Sequence, residues 1–330
     1  PGIRDNTGNS LEHDVSFSFS TEGNYGNTPL FLGTGGDNGG IVAYVQGLHL
    51  SELEGYSGEG VQTPAISPSG DRVYMASMDN NMVYVIDAAS QSVSAEISLP
   101  EGVEGPRTIA VTPNGQEVLV ACSGSMDLAV ISTSNNEVVE VVPLAEYTED
   151  IHSMAINHAG TRAYISTNWE QGIIVVDIPG RTVLEYIEGV ATVESAVELT
   201  VSPDDSKIIV FLAWASEEIA VIDAESKSIS YFTLGSEGDG WMIDVEGEFI
   251  YANGRSSGNI YKINMNDMTV AAETNIGTDM KGIAVDSNGE VIYTIAPFYH
   301  DDGAVLIFSA SDLTFLGSIP AGNYRHIVTP

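Results

Sequence analysis

The chain has 330 residues and carries 46 acidic side chains against 11 basic ones, a formal charge of −35. So few cations exclude a nucleic-acid binder working through a basic face and count against an anionic-membrane partner. A hydrophobic share of 43% excludes a disordered acidic polymer, and the scarcity of lysine is unlike the Lys-and-Glu networks of hyperthermophiles.

The expectation is therefore a folded protein with an almost uniformly acidic surface. Molar salt, where the Debye length falls to about 3 Å, screens the self-repulsion of such a surface, so the chain reads as halophilic. Cys122 has no partner for an internal disulfide and follows an apolar run, which predicts a buried, inert thiol. There is no apolar run long enough to span a membrane and no signal-peptide segment at the start; Pro1 fits a chain made without a leader and equally one cleaved from it.

In chain order, residues 1–14 are polar and read as an arm, and residues 15–330 read as one domain. Phe17-Ser18-Phe19-Ser20 is strand-like, and an insertion from Gly23 separates it from the strand Leu30-Phe31-Leu32. From there the chain repeats. A short apolar strand runs into Ser67-Pro68-Ser69-Gly70, Thr112-Pro113-Asn114-Gly115 and Asn157-His158-Ala159-Gly160, departs at Ser202-Pro203-Asp204-Asp205, and returns at Asp286-Ser287-Asn288-Gly289. The anchors before these turns are Ile66, Val111, Ile156, Val201, Val285 and Val328, spaced 45, 45, 45, 84 and 43; the 84 spans two repeats, with a degenerate anchor at Ile243.

A second strand follows each turn, as at Val73-Tyr74-Met75-Ala76. A third, such as Ile173-Ile174-Val175-Val176, ends in Asp-x-x-Ser/Gly, where the Asp can hydrogen-bond the turn it begins, and a fourth closes the unit. The apolar period is two, and four short strands in roughly 45 residues describe a propeller blade. Sets of second to fourth strands begin near residues 29, 72, 117, 162, 207, 248 and 290. The expectation is an all-β, seven-bladed β-propeller of four-stranded antiparallel blades, closed by the C-terminal strand joining the N-terminal blade.

The segments Ile109-Ala110-Val111-Thr112-Pro113-Asn114-Gly115 and Val83-Tyr84-Val85-Ile86-Asp87-Ala88-Ala89-Ser90 resemble the YVTN-type β-propeller repeat family, found in surface-layer-like and lactonase-like propellers. The resemblance runs from about residue 15 to the end and implies the fold more than an activity.

The Pro-Gly and Asp-Ser turns share one face of such a ring and read as structural. Second-to-third loops and inter-blade connections share the other face, which carries Trp169, Trp214, Trp241, Tyr299, His300 and Tyr324 and reads as the binding face. Four residues before each anchor lie Gln62, Arg107, His152, Val197, Asp239, Lys281 and Tyr324, with Glu198 and Arg325 one residue further in. These positions are expected to line the channel mouth, so Arg107, Lys281 and Arg325 form a rare cationic group that either receives a ligand or neutralises nearby Glu101, Glu104, Glu149 and Asp150.

No metal-protease, Cys-x-x-Cys, nucleophile-elbow or phosphate-loop motif occurs. Calcium is the one cofactor considered, at the loop carboxylates Asp79, Asp301 and Asp302. The leading expectation is a non-enzymatic recognition or assembly propeller on a halophilic cell surface or virus particle. Its partner would be a protein or a glycan, including like copies or capsid and envelope neighbours. The alternative, implied by the lactonase-like resemblance through residue type only, is a hydrolase using Arg107, His152, Glu198 and Arg325. An electron-transfer or quinone-dependent role needs a cofactor that no motif announces.

Overall fold

The computed structural model describes residues 30–33, 43–46, 49–52, 64–167, 172–191, 196–212, 218–234, 240–254, 256–286, 288–296, 303–320 and 326–328. The polar arm (1–14) and Phe17-Ser18-Phe19-Ser20 lie outside them. Among the described residues every regular element is a β-strand.

Six blades are each built of four consecutive antiparallel strands. The first comprises β4 (Ala65–Ile66), β5 (Arg72–Ser77), β6 (Met82–Asp87) and β7 (Ser92–Ser98). The second comprises β8 (Pro106–Val111), β9 (Glu117–Cys122), β10 (Asp127–Ser132) and β11 (Glu137–Pro143). The third comprises β12 (Ile151–Ile156), β13 (Arg162–Thr167), β14 (Ile173–Asp177) and β15 (Thr182–Ile187). The fourth comprises β16 (Ala196–Val201), β17 (Lys207–Leu212), β18 (Glu218–Asp223) and β19 (Ile229–Thr233). The fifth comprises β20 (Gly240–Glu246), β21 (Phe249–Gly254), β22 (Asn259–Asn264) and β23 (Thr269–Asn275). The sixth comprises β24 (Ile283–Val285), β25 (Val291–Ala296), β26 (Ala304–Ser309) and β27 (Phe315–Pro320).

The expectation of seven repeat blades is corrected to six. The reason lies before residue 64, where the chain supplies only three four-residue strands, β1 (Leu30–Gly33), β2 (Ala43–Gln46) and β3 (His49–Glu52). They share a composite sheet with β28 (His326–Val328), in the order β28-β1-β2-β3, with Phe31 opposite Val328. The expected joining of the C-terminal strand to the N-terminal strands is thus present, in a sheet that brings the two ends of the chain together; Ile327 packs against Val305 and Ile319 of the sixth blade.

The repeat has a backbone signature too. Each of the six blades turns from its third to its fourth strand through one non-glycine residue in the left-handed region: Gln91, Asn136, Arg181, Lys227, Met268 and Leu313, all with φ between 55° and 61°. The amide of this residue commonly donates to the carbonyl four residues back, as Gln91 does to Asp87 at 2.9 Å.

The second and third strands are near-continuous apolar runs because blades pack on both of their faces. Val118, Leu119, Val120, Ala121 and Cys122 are all buried, as are Ile173 to Val176. Leu119 and Val130 of the second blade pack with Ile165 and Ile174 of the third, so the core sits in the seams between blades. Outermost strands alternate in burial instead, as in Thr182-Val183-Leu184-Glu185, with one face to solvent. The Cys122 thiol is buried, donates to the Val120 carbonyl at 3.7 Å, and is pushed up to about 12 by burial, which makes it inert.

Candidate site at the channel mouth

The innermost strands β4, β8, β12, β16, β20 and β24 neighbour one another around the ring. Four in succession begin with a register shift against their partner strand: between Pro106 and Thr108, Ile151 and Met154, Ala196 and Glu198, and Gly240 and Met242. Arg107, His152, Val197 and Trp241 therefore occupy matching bulge positions. Bulges re-aim side chains and recur beside functional sites. Neighbouring side chains satisfy the amides that follow two of these shifts. Ser153 N–H donates to Ser166 Oγ at 2.9 Å, and Met242 N–H donates to Asn253 Oδ1 at 3.1 Å.

The fifth blade departs from the expected register. Val245 lies opposite Ile250, just as Val201 lies opposite Ile208, so the anchor is Val245 and not Ile243. Trp241 thereby takes the position expected of Asp239. The same correction places Asp244 one residue before the anchor, where other blades carry Ala65, Ala110, Ala155, Thr200 and Ala284. A lone carboxylate among small residues was the available signal, hidden by the misplaced anchor.

Four side chains from successive inner strands, Arg107, Ser153, Glu198 and Asp244, form one electrostatic group, joined by Asp150 just before β12. Arg107 Nη1 reaches Asp150 Oδ1 at 3.4 Å, and both remain partly accessible, at 27% and 21%. Ser153 Oγ donates to Glu198 Oε1 at 2.8 Å. Burial pushes the half-buried Glu198 up to about 7, against the opposing influence of Ser153; Asp244 adds to the rise and Arg107 opposes it. Burial likewise raises Asp244 to about 6, although Val285 and Val245 both donate backbone N–H groups to it at 2.8 Å. Desolvation outweighs the donors because too few of them replace the lost water. Burial also lowers the Arg107 guanidinium, with Asp150 and Glu198 acting to hold it charged.

Of the residues singled out in the sequence, the structure brings Arg107 and Glu198 together and places His152 on the strand between them. Lys281 lies just before β24 and is held through its backbone, its N–H donating to Ile295 O at 2.8 Å. Asp79 is exposed in the β5–β6 turn at this same end, where neighbouring Asn81 accepts the Gly105 N–H at 2.8 Å. Trp169, Trp214, Tyr299, His300, Asp301, Asp302, Tyr324 and Arg325 lie outside the described residues, as does the Trp241 side chain. Among the described residues, no group of three or more His, Cys, Asp or Glu side chains could hold a metal ion.

At the opposite end, the turns act as staples between blades. Arg72 donates to Thr133 O at 3.2 Å, Lys207 to Met265 O at 2.7 Å and Lys262 to Ser311 O at 3.2 Å. Arg181 pairs with Glu117, and Lys227 with Glu185 at 2.8 Å. Five of the eight described Lys and Arg residues thus tie one blade to another.

The turn that departs from the repeat follows the same logic. A Cβ on Gly115 would lie 3.5 Å from Pro68 of the preceding blade, and one on Gly160 would lie 3.3 Å from Pro113. Where His158 replaces the proline, Asp205 replaces the next blade's glycine, with φ of 60°. Its carboxylate accepts from His158 N–H at 2.7 Å and Ala159 N–H at 2.9 Å, with His158 Nδ1 at 3.0 Å. One substitution compensates the other.

No protein-family model and no curated protein matches the chain. Among solved structures, the chain is similar to one titled Kuenenia stuttgartiensis hydrazine synthase, with a TM-score of 0.64 and 17% identity over 79% of this chain and 80% of that one. At that identity the likeness shows the fold, a β-propeller, and nothing of the activity.

Proposed function

We propose that this chain is a non-enzymatic recognition or assembly propeller, carried on a cell envelope or virus particle in a high-salt medium and binding a protein or glycan partner at the channel mouth. The observation that carries this reading is the run of four matched bulges, which sets Arg107, His152, Val197 and Trp241 at equivalent starts of successive inner strands. A rigid ring displaying irregular positions at one end is the usual way a repeat scaffold presents a binding surface. The charge of −35 supports the high-salt setting. The repeat segments support the finer assignment to YVTN-type propellers. The test is binding of the purified protein, in molar salt, to cell envelopes, to itself and to a glycan array. Saturable binding that weakens in Arg107→Ala supports the reading. A monomer that binds none of them contradicts it.

A second reading, a lactonase-like hydrolase, is favoured by one feature. Glu198, held near 7, lies 2.8 Å from the Ser153 hydroxyl and close to Arg107, so a base and an oxyanion-stabilising cation share one site. Turnover of aliphatic or aromatic lactones, abolished in a His152→Ala, Glu198→Ala double variant, would establish it. Unchanged turnover in that variant would exclude it.

A further inference from the structure

We propose that the channel mouth binds a neutral polyhydroxyl group, the ring hydroxyls of an uncharged sugar, between Arg107 and Glu198. This inference rests on the recognition reading and names its ligand class. The guanidinium offers five N–H donors in a planar fork, yet among the described residues its hydrogen bond is one long contact to Asp150 at 3.4 Å. Glu198 accepts one hydrogen bond, from Ser153, and keeps further acceptor capacity. Both side chains are partly accessible, while Ser153, the donor to Glu198, is buried. A donor fork on β8 and a carboxylate on β16, the two strands that flank β12, are thus left with bonds still to make among the described residues.

Charge then selects the ligand. Asp150 and Glu198 both act on the single cation Arg107, and Asp244 acts on Glu198, so an anionic group meets net repulsion. An ammonium group meets Arg107 beside the same Glu198, and burying any charge at a half-dry site costs more than burying a neutral group. Vicinal hydroxyls, each both donor and acceptor, satisfy the fork and the carboxylate together without adding charge. His152, half-buried at the matching bulge of the intervening strand, supplies a further ring nitrogen at that level.

The experiment is saturation-transfer NMR on the whole chain in molar KCl at pH 7. The probes are methyl β-glucoside, methyl β-galactoside and methyl α-mannoside, with glucuronate and glucosamine as charged counterparts. The inference expects transfer to at least one neutral glycoside, weakened about tenfold or more in Arg107→Ala and Glu198→Ala. Glu198→Gln, which keeps the hydrogen-bonding shape, should stay within about threefold of wild type, and its near-UV spectrum checks that it folds. A preference for glucuronate or glucosamine overturns the inference. So does neutral-sugar binding that neither alanine variant weakens, although recognition as such then stands. If no glycoside binds but envelope or self-association persists, the sugar inference falls and the recognition reading survives. If all binding is absent, both fall.

Discussion

The two ends of the ring hold carboxylates in opposite ways. At the turn end, Asp204 is drawn down to about 2 by the Ser202 and Ser206 hydroxyls and the Ser206 amide, and Asp87 and Asp223 are lowered by the Ser90 and Ser226 backbone and hydroxyl groups. At the mouth, burial drives Glu198 to about 7 and Asp244 to about 6. The side-chain chemistry is the same at both ends, and what differs is the number of donors set against the water removed. Solvated aspartates with two or three local donors make a durable, permanently charged turn, whereas half-buried carboxylates with one or two donors remain able to exchange a proton or a ligand. The scarce cations follow the same division. Most of those described tie blades together at the turn end, while Arg107 at the mouth is shared between Asp150 and Glu198.

The strongest way to break this contrast is at Asp205, whose carboxylate spans two blades with two amide bonds and the His158 contact. Asp205→Ala should cost about 2 kcal/mol in urea unfolding, because two backbone donors of the neighbouring turn lose a charged acceptor. The double variant His158→Pro, Asp205→Gly restores the pairing used at Pro113 and Gly160 and should recover most of that loss. If the double variant is as unstable as the single one, the two ends are not built as described.

A pH series sharpens the contrast with a smaller effect. Glu198 binds its proton more tightly in the folded chain, rising from 4.5 to about 7, and Asp244 rises from 3.8 to about 6. The native state therefore holds more protons than the unfolded one in this window, and stability from the mouth is full below about pH 4 and lost as pH rises through 6 to 7. Asp204 has the opposite sign: its contribution is present above 3.8 and lost as pH falls through about 2. Thermal unfolding of Glu198→Gln should lack about 1–2 kcal/mol of the decline between pH 4.5 and 7 while keeping the acid limb. The smallest effect is expected at the partly buried ion-pair staples. Arg181→Ala should cost about 0.5 kcal/mol in low salt and less in molar salt.

Much of the ring is readable from the sequence because its signals are local. Period-two strands and turns such as Thr112-Pro113-Asn114-Gly115 state their own conformation, so blades two to four follow directly from the 45-residue spacing. One non-local pairing is legible as well: the C-terminal strand joins the first strands in one sheet, as the leftover strand pattern at the two ends predicts. Other non-local features are not legible. The fifth blade misleads because Ile243 and Val245 are equally good anchors by hydrophobicity, and only pairing with Ile250 decides between them. That two-residue choice conceals Asp244. In the same way, Arg107 and Glu198 can be placed near the mouth from the repeat, but their mutual influence and the choice of Asp150 as partner depend on how neighbouring blades pack.

The central claim is that the mouth, unlike the turns, keeps a carboxylate poised near neutrality between Arg107 and Asp244. Carbon-13 NMR titration of carboxyl-labelled glutamate, with the Glu198 resonance assigned by its loss in Glu198→Gln, reads this directly. A midpoint near 7 that rises further in Arg107→Ala is the predicted result. A midpoint at the ordinary 4.5, unmoved by loss of Arg107, would contradict it.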